Sequence, residues 1–149
     1  MGDNNIALNK RVDLTVVYIA NLINIIMALL FVVRIYNLSQ VEDILGIAVI
    51  IMGFGLGYIA FVNWRNKREK WEYYLLIPIF LFSIVELLLD YILNIDFRNT
   101  TLVVPYILFY YVVLWGLIGY SFRFEKKWGF LTLATYFLNM TLSVLQHYV

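Results

Sequence analysis

Five continuous apolar runs, each about 20 residues long, leave this chain few ways to fold. They cover roughly 14–36, 44–64, 71–94, 102–121 and 128–148. A hydrocarbon layer ~30 Å thick requires a helix of ~20 residues, which is the length of each run. A membrane barrel would need alternating strands of only ~9–11 residues, and these runs stay apolar for twice that. The expected fold class is therefore an all-α integral membrane protein, a five-transmembrane-helix bundle forming a single transmembrane domain over 1–149. The nearest rival has four spans, with one of the last two helices re-entrant. Composition agrees: 63% of the 149 residues are hydrophobic and 14% are charged, with mean hydropathy +0.81. Soluble domains run at roughly 45–50% and about 25%.

The basic residues set the expected orientation. Lys10 and Arg11 precede the first span; Arg65, Lys67, Arg68 and Lys70 follow the second; Arg123, Lys126 and Lys127 follow the fourth. Only Arg34 and Arg98 fall on the other side. The positive-inside rule then places the N-terminus in the cytoplasm and the C-terminus outside, in a multi-pass protein of the cell membrane. Trp64, Trp71 and Trp128 fall at the cytoplasmic headgroup level, where indoles anchor. The basic run RNKREKWE reads as a topology signal that also holds anionic headgroups. The polar start, MGDNNIALNKRVD, is too long for a signal-peptide n-region, so the first run is expected to stay as an uncleaved helix. Myristoylation at Gly2 is not expected, because Ile6 stands where that motif needs Ser or Thr.

The third span, WEYYLLIPIFLFSIVELLLDYILN, carries Glu86 and Asp90. A carboxylate in hydrocarbon costs at least ~2.5–3.5 kcal/mol, so two of them call for a reason. At about 100° per residue, Ser83, Glu86, Asp90 and Asn94 share roughly 80° of the helix surface. Counted outward from mid-membrane at about 1.5 Å per residue, Glu86 lies ~4–5 Å from the centre and Asp90 about 10 Å. Arg34, in the first span, lies ~13 Å out on the same side and can reach inward to Asp90 or Glu86.

The fifth span holds a second, neutral stripe. Thr132, Thr135, Tyr136, Asn139, Ser143 and Gln146 lie within about 100° of arc. These residues either face another helix or water, or bond their own i−4 carbonyls. The fourth span is aromatic, with Pro105 in its first turn, and Tyr106 and Tyr110 one turn apart. Their hydroxyls could donate to the carboxylates of the third span. In the second span Gly46, Gly53, Gly57 and Ala60 share a face, fitting an internal helix pair or a dimer seam. Asn21 and Asn24 in the first span read as interhelical hydrogen-bonding groups.

No catalytic constellation is present. The sole histidine, His147, stands two residues from the end, and the GFGLG run lacks the lysine and strand of a nucleotide loop. The absence of cysteine excludes disulfides, thiolate metal sites and cysteine nucleophiles. Glu86 and Asp90 alone fall short of the six or more oxygens a hard cation takes, so neither a metal nor another cofactor is expected. A net charge of +1 argues against nucleic acid. The triplets at Asn37, Asn99 and Asn139 lie too near or within the bilayer to serve as glycosylation sites.

The first functional reading is transport, or binding of a small ligand, cation or proton, in a polar site between the third and fifth spans. Its residues are Glu86, Asp90, Arg34, Ser83, Asn139, Tyr136, Tyr110 and Tyr106, and a homo-oligomer would complete a pathway. The alternative is a non-catalytic accessory, regulatory or immunity-type subunit, its stripes pairing with a partner membrane protein. A lipid-modifying membrane enzyme is third.

Overall fold

A computed structural model describes residues 2–95, 100–146 and 148, with side chains from residue 8 onward. Arg98, Asn99 and His147 lie outside the described residues. The described chain is helical, with no strand among its described residues. Helix α1 is Gly2–Ile35 and α2 is Ser39–Arg65. The third span comes in pieces: α3 (Trp71–Tyr74), α4 (Ile77–Glu86) and a π-helical segment, Leu87–Ile92. Helices α5 (Val103–Phe124) and α6 (Lys126–Leu145) complete the chain. Five helices, with the third span counted as one, are long and apolar enough to cross a membrane.

Local chemistry explains the boundaries. Both α1 and α2 end with a residue in the left-handed region, Asn37 (φ 56°) and Lys67 (φ 54°). In each case the next N–H reaches back five residues, Leu38 to the Val33 carbonyl at 3.1 Å and Arg68 to the Asn63 carbonyl at 3.0 Å. That is the Schellman arrangement, which satisfies the last carbonyls and turns the chain back over the helix end. The turn after α1 is so tight that α2 begins at Ser39 rather than at the apolar onset near residue 44. The third span breaks at Leu75–Leu76 because Pro78, in the first turn of α4, has no N–H for the Tyr74 carbonyl. It ends at Asn94 (φ 47°), a residue type that tolerates this backbone.

The helices form a closed ring. α1 packs on α2, α2 on α3 and α4, α4 on α5, α5 on α6, and α6 returns to α1; α1 also touches α5. The core is drawn from the inward faces of the first four spans: Val16, Val17 and Ile23 of α1, Leu56 of α2, Leu76, Ile79 and Phe82 of the third span, and Val113, Leu117 and Tyr120 of α5. A smaller cluster of Leu114, Ile118 and Tyr136 joins α5 to α6. The outward faces are apolar as well: Tyr58 is 69% exposed and Phe130 63%.

The α2–α4 seam depends on small residues. A side-chain carbon at Gly53 would collide with Ser83, one at Gly57 with Phe80, and one at Gly46 with the Tyr91 hydroxyl. Ala60 is buried further along the same helix. The close approach of the three glycines thus falls against the chain's own third span.

Candidate functional site

Polar side chains inside the ring are grouped in three layers. The first lies at the end bearing the two basic connections. The turn at Lys67 carries Arg68 back under α2, where its side chain is only 9% exposed. Its Nη2 donates to both oxygens of Asp13 on α1, at 3.0 and 2.8 Å, and its Nη1 to Asn63 Oδ1 at 3.1 Å. Its Nε pairs with Glu72 of α3. The Tyr120 hydroxyl of α5 donates to Asp13 Oδ1 at 2.6 Å, and Trp71 packs edge-on against the Tyr120 ring. Burial disfavours the guanidinium's charge, but the hydrogen bonds and charge of Asp13, joined by the charge of Glu72, outweigh it and raise the Arg68 pKa. Beside this layer, Glu125 bridges Lys127 and Lys10 at 3.0 and 3.6 Å, and the Lys127 hydrogen bond, with both lysine charges, holds its carboxyl below the usual range.

Arg68 was expected, with the rest of RNKREKWE, to be a topology signal that holds anionic headgroups. It is instead the hub of a buried cluster. The legible hint was a pair of acids, Asp13 and Glu72, at the depth where basic residues dominate.

The second layer lies at mid-height between α1, α5 and α6. Asn21 Nδ2 donates to Thr132 Oγ1 at 3.0 Å, and Thr132 in turn reaches Ser121 Oγ at 2.9 Å. Asn24 Nδ2 reaches Thr135 Oγ1 at 3.1 Å, and Thr135 donates to Asn21 Oδ1 at 3.1 Å. The asparagines of the first span are therefore the partners of Thr132 and Thr135 in the fifth-span stripe. Thr132→Val keeps the shape and removes the hydroxyl that joins Asn21 to Ser121. We expect it to cost about 0.6–2 kcal/mol in a detergent unfolding titration, with Thr141→Val, on the exposed face, as the neutral control.

The third layer is at the opposite end and contains the acids. The Tyr106 hydroxyl of α5 donates to Glu86 Oε1. One turn along α5, the Tyr110 hydroxyl accepts from Asn139 Nδ2 of α6 at 2.6 Å. Phe82 of α4 packs against both tyrosine rings, at 5.5 and 5.8 Å between centroids. Asn139 is 1% exposed, and its Oδ1 has no donor among the described residues. Tyr136 lies beside Trp115 and joins the α5–α6 cluster.

Three expectations are corrected here. Arg34 does not pair with Asp90: its Nε meets Glu42 Oε1 at 2.6 Å, because the tight turn at Asn37 brings the start of α2 beside the end of α1. Arg34 and Glu42, with Asn37, Ser39 and Gln146, line an open cleft of about 260 Å³. Second, Ser83, Glu86, Asp90 and Asn94 do not form one surface. Ser83 is fully buried, bonded to the Ile79 carbonyl at 3.0 Å and pressed on Gly53. Glu86 turns to α5, and Asp90 sits in the π segment, whose wider turn departs from the α-helical period. Third, the third- and fifth-span stripes do not face each other, because α5 lies between them. From that position Tyr106 reaches Glu86 of the third span and Tyr110 reaches Asn139 of the fifth.

The arrangement is a five-helix apolar bundle with a layered polar interior. Among the described residues no three His, Asp or Glu side chains are grouped so as to hold a metal ion. Compared with known proteins, the chain matches no family model, no curated protein and no solved structure.

Proposed function

We propose that the five helices cross the cell membrane with the basic end in the cytoplasm, and that the acidic layer binds a proton or a small cation as part of a transport or ligand-binding activity. The observation that carries this reading is the pair of tyrosines on α5. One turn apart, they bond a half-buried carboxylate, Glu86, and a buried amide, Asn139, whose oxygen lacks a donor among the described residues. A carboxylate and an acceptor oxygen set one turn apart along α5 suit a proton or an ammonium-type group. The π segment beginning at Leu87 adds support, since such widened turns recur at functional sites. Asp90 and the Arg34–Glu42 cleft lie towards the same end and would belong to the path by which the ligand arrives.

The accessory-subunit reading is the weaker one. It relies on polar stripes seeking a partner's helices, and Thr132 and Thr135 already have partners on α1.

The test uses reconstituted vesicles and two probes, protons after a pH step and methylammonium. Glu86→Gln should reduce uptake or binding by about tenfold or more, and Tyr106→Phe by less, since it keeps the carboxylate. Equal uptake by the parent protein and Glu86→Gln would remove the proposal.

A further inference from the structure

Asp13, Arg68, Glu72 and Tyr120 form a closed circuit at the basic end, far along the third span from Glu86. Four separate pieces of chain enter it: α1 through Asp13, the α2–α3 turn through Arg68, α3 through Glu72, and α5 through Tyr120. Asn63 of α2 closes it from above, accepting from Arg68 and donating to the Glu72 carbonyl at 3.0 Å. A single guanidinium thus holds the ends of three spans together, and Tyr120 ties a fourth, α5, to the same carboxylate of Asp13.

The third span is interrupted close to this circuit. Its backbone ladder is interrupted at Leu75–Leu76, where Pro78 supplies no hydrogen. α5 meets the interruption at Gly116, where even a methyl group would come 2.8 Å from the Leu75 carbonyl. α3 lies on the latched side of this break and α4 on the other. Breaks of this kind are where helices bend.

We propose that the Asp13–Arg68–Glu72 cluster is an ionic latch that keeps the basic end of the bundle shut, and that its release opens that end locally about the Leu75–Pro78 break. Arg68 is the link between two halves of the circuit, so loss of that side chain parts α1 and α5, still joined through Tyr120 and Asp13, from α2 and α3, still joined through Asn63 and the Glu72 carbonyl. The helix pairs at mid-height keep their own contacts through Asn21, Asn24, Thr132 and Thr135. The opening is therefore confined to one end. This inference does not depend on what the acidic layer binds.

The chain contains no cysteine, so single reporters can be read without background. Ala60→Cys places a thiol on a buried position one turn before Asn63, beneath the latch. Ala28→Cys places one at a buried position on α1 beyond the polar mid-layer. Each is labelled in proteoliposomes with a membrane-impermeant maleimide present on both sides. In the parent background both should react slowly. Adding Arg68→Gln should speed Ala60→Cys labelling by about tenfold or more and leave Ala28→Cys unchanged. Glu72→Gln keeps the Asp13–Arg68 pair and should give a smaller increase at Ala60→Cys alone; it serves as the test if Arg68→Gln does not fold. Unchanged labelling at Ala60→Cys in a folded variant would overturn the latch. Equal acceleration at both reporters would also overturn it, because the cluster would then be a general staple of the fold.

Discussion

Arg68→Met should lower the stability of the bundle by about 3–5 kcal/mol, the largest loss expected from any single exchange at a basic residue. The side chain is 9% exposed and answers two carboxylates whose own side chains are about as buried. Removing it leaves Asp13 and Glu72 facing each other with no cation between them. The cost comes mainly from those orphaned charges rather than from lost packing, which methionine largely keeps. A combined exchange separates the two. Asp13→Leu, Arg68→Met, Glu72→Met and Tyr120→Phe together remove the cation, both anions and the hydroxyl that would otherwise lose its acceptor. A buried ionic cluster replaced whole by apolar groups is often neutral or better. The quadruple variant should therefore recover much of the loss in a detergent unfolding titration, falling short by the cost of the buried Asn63 Oδ1 that loses its Arg68 donor. If it is as unstable as Arg68→Met, the cluster's value lies in its geometry, and the orphaned-charge account is wrong. The latch predicts a further difference: the quadruple variant should be stable yet open at Ala60→Cys.

Hydropathy made the five helices legible, because length and continuous apolar character leave a chain no other regular structure. It gave burial rather than helix ends. α1 starts at Gly2 and α2 at Ser39, well before the apolar onsets, since backbone hydrogen bonding continues into polar sequence wherever a turn satisfies it. The break at Pro78 was available in the sequence as a missing donor, yet the unbroken apolar run around it masked its effect. Periodicity found the residues of both polar stripes and could not say what each faces. Asn139 and Thr132 lie on one face of α6, but the first meets Tyr110 of α5 and the second Asn21 of α1. That division follows from the order of helices around the ring, which no local pattern encodes. Arg68 was misread for a related reason. Counting charges groups it with Lys67 and Lys70, whereas the left-handed residue before it turns it inward.

The second large effect concerns Gly53. Gly53→Val should destabilise the bundle by about 1–3 kcal/mol or more through overpacking, in spite of valine's lower backbone entropy in the unfolded chain. A side-chain carbon there would overlap Ser83 and come 3.3 Å from the Ile79 carbonyl. Ser83 cannot rotate away freely, because its hydroxyl is held by that same carbonyl at 3.0 Å. Relief then requires α4 to move off α2. Glu86 lies one turn beyond Ser83, so the displacement should also weaken its bond to Tyr106. Gly55 supplies the internal control: nothing lies within 4 Å of a carbon built there, so Gly55→Ala should be neutral or gain up to ~1 kcal/mol from helix propensity. Ser83→Gly should restore part of what Gly53→Ala loses, since it removes the atoms that collide. This compensation separates the two roles open to a small-residue stripe. If the stripe were a seam between copies, Gly53→Val would change the oligomeric state and Ser83→Gly would not rescue it. Because Gly53 meets Ser83 of its own chain, the loss should appear in the unfolding of the single bundle, at every protein concentration.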